Sequence, residues 1–123
     1  MNDCQFCSYI AIETHKLTVF YYKREYQNNQ FLNMSLSSFN TLACNHCLEK
    51  IQSFANENPH TIFNDNFNRP ETGGFSIFFL EFYLFNSDIH VLDFLYLIIR
   101  GCIIIDKSND KSNNKSVVTV EIS

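Results

Sequence analysis

The sequence has little positive charge and no patch in which that charge collects. Nine lysines and arginines stand against thirteen aspartates and glutamates, which gives a net charge of −4 over 123 residues. The only local cluster is Lys23-Arg24, and Glu25 follows it directly. A protein that binds DNA or RNA normally presents a basic face, because it must neutralise phosphates. We therefore expect no nucleic-acid partner.

The sequence also lacks a leader pattern and an uninterrupted apolar run. Its first residues, Met1 to Cys4, contain neither a positive n-region nor an apolar h-region. Residues 75–105 are dense in apolar side chains, but charged and polar ones interrupt them, namely Glu81, Asp88, His90, Asp93 and Arg100. A charge near the centre of a membrane span costs about 2.5 to 3.5 kcal/mol. We expect an intracellular, cytoplasmic protein in which 75–105 forms two buried strands, with membrane association as a less favoured alternative.

Tryptophan is absent, although thirteen Phe and six Tyr make the chain rich in aromatic rings. This surplus favours self-association into a homo-oligomer, but the sequence does not locate the surface. No glycine-rich phosphate loop, calcium-binding loop or supported Ser/His/Asp arrangement is present. With 46% apolar residues, the chain is long enough for one domain with its own core.

The first half of the chain predicts a strand and a helix. Residues 17–22 are β-branched and aromatic, which is typical of a strand, and the polar residues 23–30 predict a turn. Apolar residues then recur at spacings of three and four from 35 to 56, which predicts an amphipathic helix. These residues are Leu36, Phe39, Ala43, Cys47, Ile51 and Phe54.

The second half predicts strands and a polar end. Strands are expected over 60–63 and 75–85, with a loop over 64–74. Residues 91–105 form a strand or a helix, and the apolar end of this stretch, 98–105, favours a strand. The predicted fold is therefore α+β, with one main amphipathic helix packed on a mostly antiparallel sheet. Residues 1–105 form this single domain, and 106–123 form a polar linker and C-terminal tail. The end of that tail, 117–122, is either an added strand or a frayed segment.

Four of the five cysteines form two CxxC pairs, Cys4-Cys7 and Cys44-Cys47. Two such pairs are a common way to hold zinc, because four thiolates close a tetrahedron around the ion. The 36 residues between the pairs exceed the roughly 15 to 20 of compact zinc ribbons. The alternative is that Cys44 and Cys47 pack in the core on the apolar stripe of the helix.

The remaining cysteine and two nearby histidines have less specific readings. Cys102 lies in an apolar stretch and is expected in the core. His46 lies inside the second CxxC pair but points away from the helix stripe, which predicts a solvated side chain. His15 is expected on an exposed loop, although it is close enough in sequence to complete a Cys/His site.

The first residues resemble the start of the histidine-triad (HIT) family. The residues that match are Asp3, Cys4, Phe6, Cys7, Ile10, Ala11 and Glu13. The resemblance implies a nucleotide-binding fold whose histidine attacks an α-phosphate. Here the alternating histidine positions would be Phe79, Glu81 and Tyr83, and phenylalanine cannot be that nucleophile. The resemblance therefore implies a degenerate member, or else an active nucleotide hydrolase or transferase with an unusual site built on Glu81, Tyr83 and His90.

The two CxxC pairs also resemble the zinc-holding pairs of HNH nucleases. Leu17-Thr18-Val19 is similar to the strand that leads into their Asp-His pair, and 40–47 is similar to their second knuckle. Phe20-Tyr21 stand where that pair should be, so no general base or catalytic metal ligand remains.

The sequence favours a non-catalytic, small zinc-binding or interaction module. The predicted metal ligands are Cys4, Cys7, Cys44 and Cys47, with zinc as the cofactor. The predicted partner is an unidentified protein or a second copy of the chain. The alternatives that stay open are a nucleotide enzyme, a small membrane-associated protein and a chain without a selected function.

Overall fold

The computed structural model describes residues 4–7, 13–66, 73–80, 83–106 and 117–120. The elements in chain order are β1 (Thr14–Gln27), β2 (Gln30–Cys44), α1 (Asn45–Glu57), β3 (Thr61–Asp65), β4 (Phe75–Phe79), β5 (Leu84–Phe85), α2 (Asp88–Ile99), β6 (Ile103–Asp106) and β7 (Val117–Val120). The predicted α+β class is confirmed. Neither helix of the described ranges is long and apolar enough to cross a membrane.

The main sheet has five strands in the order β2-β1-β4-β3, with β5 also paired to β1. The β1–β2 and β3–β4 pairs are antiparallel, while β4 and β5 run parallel to β1. The predicted, mostly antiparallel sheet is therefore confirmed. Strands β6 and β7 pair with each other in a separate two-stranded sheet, so residues 117–120 are an added strand.

Strands β1 and β2 form a long hairpin, which brings the start of β1 next to the end of β2. Its turn residues Asn28 and Asn29 both have positive φ, as two-residue hairpin loops require. The predicted turn over 23–30 was too long, because pairing continues to Gln27. At the other end the register places Thr14 opposite Cys44. The hairpin thus returns the chain to the N-terminal segment.

The helix predicted over 35–56 was wrong in its first part. Residues up to Cys44 belong to β2, and α1 covers only Asn45–Glu57. The apolar residues Leu36 and Phe39 fit a helical period, but an odd spacing puts them on opposite faces of a strand. Exposure in β2 alternates from Ser35 onward, as a strand with one covered face requires. Pairing with the whole length of β1 outweighs the local helical pattern.

The strand favoured over 91–105 was wrong in its first part, because residues Asp88–Ile99 form α2, whereas its end lies in strand β6, Ile103–Asp106. The buried residues of α2, Val91, Leu95 and Ile98, follow helical spacing. Apolar residues on the other faces of α2 hid this stripe in the sequence. The helix ends in a Schellman motif, in which Gly101 has φ +71° and its N–H donates to the Ile98 carbonyl.

The long strand predicted over 75–85 is divided in two. Strand β4 ends at Phe79, and β5 resumes only at Leu84. Four extra residues lie between them relative to β1, since Phe78 pairs with Phe20 and Leu84 pairs with Tyr22. Phe79 and Tyr83 lie on either side of this break, and their rings contact each other at 5.3 Å between centroids.

Both helices contribute to one core on a single face of the main sheet. The sheet contributes Leu17, Val19, Tyr21, Ile77 and Phe79, and the helices contribute Cys47, Leu48, Ile51, Val91, Leu95 and Ile98. The opposite face carries the half-buried rings of Phe20 and Phe78, which stack at 5.9 Å between centroids. The molecule is thus a two-layer packing in which the helices cover one side of the sheet.

One polar residue, Asn58, is fully buried where α1 passes into β3. Its side-chain amide donates to the hydroxyls of Thr61 and Tyr83, and its Oδ1 accepts from the His60 N–H. We expect Tyr83→Phe to lower the free energy of unfolding by about 1 to 3 kcal/mol, because it removes an acceptor from a buried donor. Urea denaturation measures the loss, with Tyr22→Phe at a half-buried ring as the control. An equal loss in both variants would contradict this account.

Candidate metal centre

The structure brings together the four cysteines that the sequence predicted as metal ligands. The sulfur atoms of Cys4, Cys7, Cys44 and Cys47 all lie within 4.8 Å of one another. Cys4 and Cys7 come from the N-terminal segment 4–7. Cys44 ends β2, and Cys47 lies in the first turn of α1. The hairpin register therefore closes the long gap between the two pairs.

Two of the sulfur–sulfur distances match the edge of a tetrahedron around a zinc ion. Sγ of Cys4 lies 3.7 Å from Sγ of Cys47, and Sγ of Cys7 lies 3.7 Å from Sγ of Cys44. Four sulfurs placed about 2.3 Å from a zinc ion at the corners of a tetrahedron are about 3.8 Å apart. Both short contacts join one CxxC pair to the other, so the two pairs form one cluster.

Backbone N–H groups are directed at the sulfur of Cys4. The N–H of Cys44 donates to this sulfur at 3.3 Å, and the N–H of Phe6 donates at 3.4 Å. Burial acts to raise the pKa of Cys4, but these donors and Cys7 act against it and lower the pKa to about 7. A thiolate at Cys4 is therefore stabilised before any metal binds.

The thiol of Cys47 has the opposite tendency. Burial raises its pKa most, and its hydrogen bonds to Cys44 and Cys4 raise it further. Four thiolates at this spacing repel one another, so the site holds protons in the absence of a cation. A divalent ion would replace those protons and neutralise part of the charge.

The N-terminus of α1 adds a favourable field. Cys44 is the N-cap residue and Cys47 is the third helical residue, while the first turn contains no acidic side chain. The positive end of a helix stabilises negative charge. Negative charge on the sulfurs of Cys44 and Cys47 in a metal-bound state is therefore favoured by the helix.

The N-terminal segment is held by contacts beyond its cysteines. The N–H of Gln5 donates to the Leu42 carbonyl at 2.9 Å, and the Tyr96 hydroxyl donates to the Gln5 carbonyl at 2.5 Å. The ring of Phe6 is buried and lies edge-on to Tyr96 at 5.4 Å. The segment therefore joins β2 and α2 as well as the cysteine cluster.

The two nearby histidines lie outside the cysteine cluster. His46 is exposed, as predicted. His15 was wrongly expected on an exposed loop, since it belongs to β1 and its side chain is only 11% exposed. Its Nε2 lies 2.7 Å from Oδ1 of Asn45, the residue that follows Cys44. His15 thus helps to fix the turn between Cys44 and Cys47. No sequence signal indicated this contact, because it depends on the strand register.

The other described residues singled out in the sequence lie outside the cysteine cluster. Phe79 and Tyr83 are buried among aromatic rings, and His90 is exposed on α2. Glu81 lies outside the described residues. His90 and Asp93 lie one turn apart on a helix, which corrects the strand reading. Cys102 is half-buried after α2 rather than in the core, and its Sγ lies 3.9 Å from the Arg100 carbonyl.

Comparison with known proteins adds no family: no family model, no curated protein and no solved structure matches the chain. The resemblances to the histidine-triad and HNH families therefore stay predictions. The geometry of the four cysteines is therefore the observation that bears on function.

Proposed function

We propose that the chain is a small zinc-binding module in which Cys4, Cys7, Cys44 and Cys47 hold one zinc ion. The observation that supports this most is that one sulfur from each of the four cysteines lies within 4.8 Å of the other three. Two cysteine pairs that merely pack in a core have no reason to bring all four sulfurs into one cluster of the size that a single zinc ion fills.

The role of the metal is structural rather than catalytic. Catalytic zinc sites keep one coordination position open for water or substrate, whereas structural sites fill all four with protein ligands. Here four cysteines are available, three of them buried and Cys7 half-buried. A metal with this ligand set has no position left for a substrate.

The choice of zinc follows from the ligand type and number. Thiolates select soft or borderline metals such as zinc, copper(I) and iron–sulfur clusters, and they disfavour magnesium and calcium. Four sulfurs within 4.8 Å of one another enclose a single ion. Zinc is the ion for which four thiolates at tetrahedral positions are the common structural arrangement.

Metal analysis tests the proposal directly. We expect elemental mass spectrometry of protein purified without added metal to find one zinc per chain. The Cys44→Ser/Cys47→Ser double variant should contain none, because two of the four ligands are lost. Cys102→Ser is the matched control and should keep its zinc, since Cys102 lies outside the cluster. A wild type without zinc, or a double variant that keeps it, would reject the site.

Zinc affinity should fall as the pH is lowered. Zinc binds the thiolates, so protons compete with the metal for all four sulfurs. The pKa of Cys4 is lowered to about 7, while that of Cys47 is raised. Protons are therefore released on binding at neutral pH, and competition with a zinc-binding dye should show weaker binding at each lower pH. An affinity that does not change between neutral and mildly acidic pH would contradict thiolate ligation.

A further inference from the structure

Strand β2 is an edge of the main sheet, because the strand order places it beside β1 alone. Within the described ranges no other strand pairs with its outer side. The N-terminal segment reaches this side only near its end, where Gln5 donates to the Leu42 carbonyl. The stretch from Asn33 to Thr41 thus presents a row of backbone donors and acceptors that a further strand can pair with, once the exposed Asn33 side chain releases the Met34 N–H, which donates to its Oδ1 at 2.8 Å.

The two edges of this sheet differ in how they resist such pairing. Natural edge strands are kept from pairing by short length, proline, bulges and charged side chains, lysine above all. The opposite edge, β3, has five residues, with Pro59 just before it and Asp65 at its end. Strand β2 has fifteen residues with no charge, no proline and no glycine. Its one irregularity lies near the hairpin tip, where the register skips Leu32.

Apolar side chains flank the same edge. Met34 is 41% exposed and Leu36 is 57% exposed, on the sheet face that the helices leave uncovered. Leu36 pairs in register with Tyr22, and Ser38 pairs with Phe20. An added strand would cover part of these apolar groups in addition to the backbone groups of β2.

We propose that β2 pairs antiparallel with β2 of a second copy, so that two sheets join into one continuous sheet across a twofold axis. In such an interface each residue meets another residue of the same strand. Because β2 has no charged residue, self-pairing creates no like-charge contact along the edge, although each chain carries a net charge of −4.

The unpaired stretch of β2 determines where the twofold axis of the dimer lies. Asn33 to Thr41 is centred on Ser37, so the axis falls near Ser37 and brings Leu36 beside Ser38 of the second copy. A foreign peptide is a less suitable occupant, because selective strand addition also uses pockets or charges for side chains, and β2 offers no charge to read.

Molar mass in solution tests this interface. In reducing buffer, light scattering coupled to chromatography should give twice the 14.4 kDa of one chain. Ser38→Lys should convert the dimer to monomer, raising its dissociation constant by at least about tenfold, because two ammonium groups meet near the axis. Gln52→Lys is the matched control: it makes the same charge change at an exposed position of α1 and should leave the dimer intact.

A second edge variant and a folding check complete the test. Leu36→Lys changes an exposed side chain of the same edge and should also give monomer, so the result does not depend on Ser38→Lys alone. Circular dichroism and zinc content should match the wild type in all variants. A wild type that is monomeric at every accessible concentration would overturn the proposal. So would folded edge variants that remain dimeric, because the contact would then lie elsewhere.

Discussion

Removal of the metal with a chelator is expected to lower the free energy of unfolding by about 4 kcal/mol under conditions where free zinc exceeds its dissociation constant about a thousandfold. The physical reason is linkage: zinc binds the folded arrangement of four sulfurs and not the separated cysteines of the unfolded chain. This loss is a large share of the roughly 5 to 15 kcal/mol that is the free energy of unfolding of an ordinary domain.

The loss of stability on metal removal should differ between parts of the chain. Segment 4–7 is held by the cluster and by a few contacts around Gln5 and Phe6. The first turn of α1 depends on the sulfurs of Cys44 and Cys47, since in the described structure no side chain caps that helix by a hydrogen bond. The centre of the sheet keeps its own buried residues, such as Leu17 and Ile77. Amide exchange should therefore rise first in 4–7 and at the start of α1.

Urea denaturation with and without chelator measures the stability change, and re-addition of zinc should restore it. The Cys44→Ser/Cys47→Ser variant is the control, because it should already be destabilised and should not respond to the chelator. If zinc leaves the wild type and neither stability nor amide exchange changes, the metal has no structural role in this fold.

The sequence predicted the candidate site better than it predicted the elements around it. The two CxxC pairs identified all four clustered cysteines, because tight local spacing is a property of the motif itself. The 36-residue gap weakened the prediction. That gap contains a hairpin of fourteen- and fifteen-residue strands, and antiparallel pairing returns the chain to its start. The long hairpin thus brings the two CxxC pairs together, as a short loop does in a zinc ribbon.

The misassigned elements share one physical cause. Leu36 and Phe39 satisfied a helical period, and only pairing with β1 shows that they lie on opposite faces of a strand. In α2 the buried stripe of Val91, Leu95 and Ile98 was masked by apolar residues around the rest of the helix. In both cases the local sequence pattern is compatible with a helix or a strand, and tertiary contacts determine which of the two forms. The Gly101 helix end was the local signal for α2 that the sequence reading missed.

Replacement of Phe79 by alanine should be among the most damaging single changes in the core. Its ring is fully buried and lies edge-on to the rings of Tyr83, Phe85 and Phe94 at 5.3, 5.7 and 5.5 Å between centroids. Truncation of a buried phenylalanine costs about 3 to 5 kcal/mol, because it loses apolar burial and leaves a cavity. Such a loss approaches the whole stability of a marginal domain.

The neighbouring Phe78 provides the matched control, because adjacent residues of a strand face opposite sides of the sheet. Phe78 is half-buried on the face without helices, where it contacts Phe20 and Tyr22 at 5.9 and 6.0 Å between centroids. Phe78→Ala should therefore cost only about 1 to 2 kcal/mol, since part of the ring already meets solvent. Urea denaturation of the zinc-loaded variants compares the two. A loss of stability for Phe78→Ala that equals or exceeds that for Phe79→Ala would contradict this account. Because Phe78 and Phe79 lie on opposite faces of the sheet, the helices would then not cover the face of Phe79.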